Sequence, residues 1–269
     1  MRAPVVVFLA LVMGGGCDNV FNLERVTPPP DAPLCPEPSG HDEDGDRLDD
    51  ACDLCPGDPD EMPIDTDGDG VGDPCDPTAD GSDSLDTFFA FAAPGDFDHW
   101  STLPACSNEN EALVCQGADI PSRLVRLRDV APPLPFAVQL SMTLEDVDRT
   151  TYDQIELQAN NGSGGPTLRC VLIHALSTSG GTHTESWLAN SNAKSVLPNT
   201  YSGGTRFVMR MTFRTNQVMC EIAGTRPDGE PFEITATAVP SPPMPGAISM
   251  NVQHTSLRIG WISIYRLAP

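Results

Sequence analysis

The chain has little positive charge. It holds 15 lysines and arginines against 38 aspartates and glutamates, a net charge of −23 over 269 residues. That balance argues against a nucleic-acid partner and towards cations. Aromatic residues make up only 6%, which does not suggest a dedicated carbohydrate surface. Long helical periods are absent, so the chain does not read as a helical protein. There is no G-x-S-x-G nucleophile turn and no glycine-rich phosphate loop, and the histidines are few and scattered. The longest apolar run near the start, Val5 to Met13, is too short for a permanent membrane helix.

What is there is distributed unevenly. Residues 31 to 86 carry 20 of the acids and one base, Arg47, a net of −19 that leaves about −4 for the rest. Within this segment, Asp65 to Asp76 read DTDGDGVGDPCD and Asp42 to Asp53 read DEDGDRLDDACD. Carboxylates at alternate positions repel each other unless a cation sits between them. Calcium takes six to eight oxygens from one short piece of chain. In the second loop, ligand positions 1, 3, 5, 9 and 12 fall on Asp65, Asp67, Asp69, Asp73 and Asp76, with the backbone carbonyl of Val71 at position 7. The first loop offers Asp42, Asp44, Asp46, Asp50 and Asp53, with the carbonyl of Leu48. Position 6, where the loop turns sharply, is Gly70 in the second loop and Arg47 in the first, so the first loop is expected to be strained and weaker. Pro56, Pro59, Pro74 and Pro77 forbid the flanking helices of a helix–loop–helix calcium hand. An acidic disordered tether is the competing reading.

DEDGDRLDDACDLCP and DTDGDGVGDPCDP resemble the thrombospondin type 3 repeat, over roughly residues 41 to 77. The resemblance implies structural calcium, little hydrophobic core in the repeats, and disulfides between successive turns: Cys55–Cys75, and Cys52 with Cys35. Arg47 and Leu54 depart from the family's glycine and asparagine.

The N-terminus, MRAPVVVFLALVMGGGC, resembles a bacterial lipoprotein signal. It has a basic Arg2, an apolar run and small residues before Cys17, the residue such a signal would have lipidated. Gly14 stands where the family usually has leucine, and plain secretion is the alternative. Either way the chain is exported to an oxidising compartment, the envelope or cell surface, held by a lipid anchor on the first reading. Eight cysteines remain besides Cys17. The Cys52/Cys55 pair admits zinc, but Cys75 stands alone where a second close pair would be needed, so disulfides are expected. Residues 18–40 read as a proline-rich tether and 41–83 as the repeats.

Residues 84–269 read as all β. Phe136, Val138, Leu140, Met142 and Leu144 alternate strictly. So do Phe207 to Phe213, Val218 to Ile222, and Phe232 to Ala236, with residues 214–217 as a hairpin turn. The closing run LRIGWISIY is apolar on both faces, which suits a buried strand and places Trp261 in the core. Strands of this spacing predict a β-sandwich. The order of TFFAF, DHWSTL and ALVC, with the ending PGAISMNVQHTSLRIGWISIYRL, resembles the concanavalin A-like jelly roll of laminin-G-like and lectin domains. Cys106 and Cys115 flank a turn. Cys170 and Cys220 lie in strand patterns that could be neighbours. Four cysteines allow three pairings, and Cys106–Cys115 with Cys170–Cys220 is the one expected.

No catalytic residue is assigned. Glu145 and Asp148 in LEDVD lack the spacing of a jelly-roll glycosidase pair and are expected in a loop. Tyr152, Trp187 and Tyr201, in polar surroundings, are the candidates for a glycan-binding site. The whole reads as an exported calcium-stabilised stalk that presents a lectin-like domain for adhesion to a glycan or surface protein. The alternatives are an envelope polysaccharide hydrolase and a structural spacer.

Overall fold

A computed structural model describes residues 38–60, 62, 64–92, 94–97, 100–102, 106–116, 123–127, 134–147, 153–160, 168–176, 182–188, 194–198, 202–239 and 247–269. All lie within one compact unit, Cys35–Pro269. Cys17, Cys35 and the tether up to residue 37 fall outside the described residues.

The described part is all β from Ser84 onward, apart from one short 3-10 turn, Pro94–Phe97. In chain order the strands are β1 (Ser84–Phe89), β2 (Trp100–Thr102), β3 (Cys106–Asn108), β4 (Leu113–Gln116) and β5 (Arg123–Leu127). Then come β6 (Phe136–Val147), β7 (Asp153–Asn160), β8 (Leu168–Leu176), β9 (Thr182–Leu188) and β10 (Lys194–Pro198). The last are β11 (Arg206–Phe213), β12 (Val218–Thr225), β13 (Pro231–Ala238), β14 (Ala247–Gln253) and β15 (Thr255–Arg266). For β2, β5, β9 and β10 only the backbone is described.

The strands form two antiparallel sheets. The first runs β13-β12-β11-β6-β15-β4-β3, with β1 also paired to β15. The second runs β10-β9-β8-β7-β14-β5-β2. Sequence neighbours are often far apart in these orders, as in a jelly roll. The alternating residues do what their period dictates. Phe136, Val138, Leu140, Met142 and Leu144 of β6 join Phe207, Met209, Met211 and Phe213 of β11 in one core. Ile155, Leu157, Leu172, Ile248, Met250 and Val252 face them from the second sheet. The β11–β12 hairpin closes where expected, with the Arg214 amide donating to the Gln217 carbonyl at 2.8 Å. β6 runs through Val147, so Glu145 is a strand residue rather than a loop residue. It pairs with Arg258 of β15 at 3.3 Å. Asp148 lies outside the described residues.

Three bridges are present: Cys55–Cys75, Cys106–Cys115 and Cys170–Cys220. Cys52 is also disulfide-bonded. Cys106 and Cys115 sit directly opposite each other on β3 and β4. Cys170 and Cys220 are not on neighbouring strands as expected. They lie on β8 and β12, in different sheets, and their bond crosses the core.

The closing strand explains its own two-faced pattern. Leu257 and Ile259 point inward, and so do Ile262 and Ile264, because β15 shifts register against β6 between Ile259 and Ile262. A bulge there turns Trp261, Ser263 and Tyr265 to the outside of the sheet. Trp261 is 7% exposed, yet it is outside the sandwich core. The acidic segment buries it. Cys55, Val71 and Cys75 pack with Ala137, Tyr265 and Leu267 in a second cluster on the outer face of the first sheet.

Candidate metal centre

The two acidic loops are copies at an offset of 23 residues. In each, the first aspartate accepts the backbone N–H groups of the residues three and five places on. Asp42 takes Gly45 at 2.8 Å and Arg47 at 3.0 Å, and Asp65 takes Gly68 at 2.7 Å and Gly70 at 2.9 Å. The third aspartate accepts from two residues on: Leu48 to Asp46 and Val71 to Asp69, both 2.8 Å. Both loops make the same left-handed steps, Gly45 (φ 82°) and Arg47 (φ 83°) in the first, Gly68 (φ 78°) and Gly70 (φ 95°) in the second. Arg47 therefore adopts the backbone that glycine adopts in the other copy, a conformation that costs a side-chain-bearing residue ~1 kcal/mol.

The copies bring together Asp42, Asp44 and Asp46, and separately Asp65, Asp67 and Asp69. In each trio, one oxygen per residue lies within 4.8 Å of the others. A third group contains Asp69, Asp76 and Asp83. The remaining candidates do other work. Asp50 accepts from the Glu43 amide at 2.8 Å and contacts His41 Nδ1 at 2.7 Å, while Asp73 takes both the amide and the hydroxyl of Thr66. These two carboxylates clamp the loop entries. Asp53 accepts from Cys55 N. The Leu48 and Val71 carbonyls belong to the same turns, and the Val71 side chain is 1% exposed beneath the segment.

Sequence reasoning missed Asp83. Its signal was the offset itself: Asp60 and Asp83 each stand seven residues after the last aspartate of their loop. The structure uses them alike, with the Asp60 amide donating to Asp46 at 3.1 Å and the Asp83 amide to Asp69 at 2.5 Å.

The electrostatics suit a hard cation with oxygen ligands. Burial, and then repulsion by Asp46, Asp53 and Asp42, pushes Asp44 up to about 7. Burial and neighbouring carboxylates push Asp53 up to about 6. Asp65 goes the other way, lowered by its N–H donors, Gly70 first. Asp83 is 3% exposed, and its Oδ2 has no hydrogen-bond donor; Asp44 Oδ2 is likewise buried and undonated. A buried carboxylate oxygen with no donor, held beside two other carboxylates, is a costly arrangement that a cation relieves.

The segment is fastened to the sandwich. Gln139 donates to the Cys75 carbonyl at 2.8 Å. Arg210 donates to the carbonyls of Cys75 and Asp76, each at 3.3 Å. Trp261 Nε1 donates to Gly57 O at 3.1 Å, and Arg214 to Thr78 Oγ1 at 2.6 Å. Asp83 itself accepts from the Ala268 amide at 3.0 Å, so a residue of the third acidic group also holds the C-terminus. The acidic segment lies along the sheet, where the sequence predicts a stalk.

Of the ligand candidates, Tyr152 and Tyr201 lie outside the described residues. The strand register places Trp187 on β9, opposite Val171 and Lys194.

No family model and no curated protein matches the chain. Solved structures do resemble it. Lectin I-B4 from Griffonia simplicifolia is 8% identical with a TM-score of 0.48, over 66% of this chain and 97% of that one. Lectin II from Ulex europaeus is 12% identical with a TM-score of 0.47, over 68% and 100%. A glycoside hydrolase family protein from Mycobacterium thermorestibile is 11% identical with a TM-score of 0.45, over 66% and 99%.

Proposed function

We propose that this chain is an exported, calcium-braced binding protein of the bacterial cell envelope. On this reading it is anchored through Cys17 and presents a lectin-like sandwich to a glycan or a surface protein. The observation that carries the calcium reading is the pair of matching acidic loops with the undonated, buried oxygens of Asp44 and Asp83. Asp42, Asp44 and Asp46 would hold one ion, and Asp65, Asp67, Asp69, Asp76 and Asp83 would supply the second loop. Calcium would cancel the repulsion among these carboxylates. Asp83 and the carbonyls of Cys75 and Asp76 accept hydrogen bonds from β6, β11 and the C-terminus, so the ions would hold the segment to the sheet. The role is structural, and no residue is assigned a catalytic part.

The test is a calcium titration of the purified protein by calorimetry, with thermal melts in calcium and in chelator. Saturable uptake of two or more ions is expected, together with a clear rise in Tm. An ion at a hundred times its Kd adds about 2.7 kcal/mol per site. No uptake at millimolar calcium would remove the proposal. Mass spectrometry of the membrane fraction tests the anchor, with an acylated N-terminal Cys17 as the expected result.

A further inference from the structure

The acidic segment covers the outer faces of β6 and β15 but stops short of β12 and β13. There Ala223, Thr225, Glu233, Thr235 and Thr237 remain exposed. Where the segment ends against the sheet, a half-open cleft of about 810 Å³ remains. Asp58 stands on its segment side, Arg210, Glu221 and Glu233 on its sheet side, and Gln139 and Trp261 at its floor.

The polar groups of this cleft are asymmetric. Its nitrogen donors are committed to holding the segment: both terminal nitrogens of Arg210, the Gln139 amide and the Trp261 indole N–H all donate to backbone carbonyls, while the buried Ser263 hydroxyl, which also lines the cleft, has no hydrogen-bond partner. Its acceptors are not. Glu221 Oε2 is buried and accepts no hydrogen bond, and its one ion-pair partner among the described residues is Arg210, at 3.8 Å. Glu233 and Asp58 have no side-chain partner among the described residues. Three carboxylates thus face one guanidinium. An anionic ligand is excluded, and the ligand that fits brings donors and positive charge. A sugar ring would want an exposed aromatic face, but Trp261, Tyr265 and Phe232 are buried, and Phe88 is half-buried with its ring against Trp261. The register supplies a spacing. Ala223 is opposite Glu233, so Glu221 and Glu233 are diagonal neighbours on one face, ~7–8 Å apart. Residues i and i+2 of an extended chain are ~6.8 Å apart.

We infer that this cleft binds an extended peptide carrying lysine or arginine at alternate positions, with Glu221, Glu233 and Asp58 as the acceptors. The inference rests on the calcium-braced binding reading and names the site and ligand class it would use.

The test titrates an acetylated Lys-Ala-Lys amide into the full protein at physiological ionic strength and millimolar calcium, by calorimetry. Acetylated Ala-Ala-Ala amide and cellotetraose serve as comparisons. Saturable one-to-one binding of the lysine peptide alone is expected. The pair Glu221→Gln and Glu233→Gln should weaken it about tenfold, as loss of two charge-assisted contacts does. The pair Asp228→Asn and Glu230→Gln removes the same charge from the exposed β12–β13 turn and should change it less than about twofold. Glu233→Lys, at an exposed position on β13, should abolish it. Equal weakening by both pairs, no saturable binding, or binding of cellotetraose instead would overturn the proposal. A calcium titration of the same sample separates the two ideas. Absence of calcium uptake counts against the loops, while the peptide titration still judges the cleft.

Discussion

Gly57→Ala is the sharpest probe of whether the acidic segment is clamped to the sandwich. Gly57 does not occupy the left-handed region, so alanine meets no backbone penalty there. The cost is entirely the neighbour: an added Cβ would lie 2.3 Å from both Cε2 and Nε1 of Trp261, and 2.8 Å from Cδ2. The indole cannot easily withdraw. Its N–H donates to the Gly57 carbonyl at 3.1 Å, and its ring packs on Phe88 with centroids 6.0 Å apart. Overpacking of this kind costs ~1–3 kcal/mol, and losing the indole hydrogen bond adds ~1 kcal/mol. A total of ~2–4 kcal/mol corresponds to a fall in Tm of roughly 4–16 °C for a unit of this size. The assay is a thermal melt in millimolar calcium, run as a double-mutant cycle with Trp261→Ala. Trp261→Ala alone should cost ~3–5 kcal/mol. In its background the added methyl has room, so the Gly57 substitution should cost less than ~0.5 kcal/mol. A neutral Gly57→Ala, or the same cost in both backgrounds, would refute the clamp and return the segment to a free-standing stalk.

The other predictions concern the loops and the core. Asp83→Asn should lower calcium affinity of the second loop at least about tenfold by calorimetry, since it removes one charged ligand; unchanged affinity would show that Asp83 serves only to hold the Ala268 amide. Arg47→Gly should stabilise the protein by ~1 kcal/mol in chemical denaturation and tighten the first loop, because glycine adopts φ 83° without strain. In chelator, stability should rise on acidification from about pH 8 to about pH 5. Asp44 and Asp53 sit at about 7 and about 6, above their ordinary 3.8, so their contribution is complete below that value and is lost as pH rises through 6 to 7. In calcium the trend should reverse over the same range, because protons then compete with the ion. Replacing Cys170 and Cys220 together by alanine should cost about 4 kcal/mol from the closed loop alone, read from denaturant midpoints under oxidising conditions.

The residues differ in how much of this was legible beforehand. Strict alternation in β6, β11, β12 and β13 made the sandwich readable, because period-two burial is a local property of the chain. The aspartate register made the loops readable for the same reason, since the hydrogen bonds that shape each loop close within nine residues. What could not be read were the meetings of distant segments. Cys170 and Cys220 both looked like strand residues, and nothing in their neighbours says that their strands lie in different sheets. Asp83 lay beyond the loop template and shows only when the 23-residue offset is carried past the last aspartate of each copy.

Trp261 is the most instructive case. An apolar residue on each face of a closing strand reads as a strand buried on both sides, and that is what it is. The cover on the outer side, however, is a segment carrying most of the protein's negative charge, which composition assigns to solvent. The segment can lie there because it presents carbonyls, glycine and cysteine to the sheet and turns its carboxylates towards one another. Gly57 admits the indole, while the Cys75 and Asp76 carbonyls take the donors of Gln139 and Arg210. Whatever neutralises those carboxylates therefore also decides how firmly the outer face of the sheet is covered and how the cleft beside Glu221 is shaped. If calcium fills the loops, its removal should expose Trp261 and raise its accessibility to a neutral quencher. Unchanged quenching in chelator would mean that the segment's packing is independent of its charge.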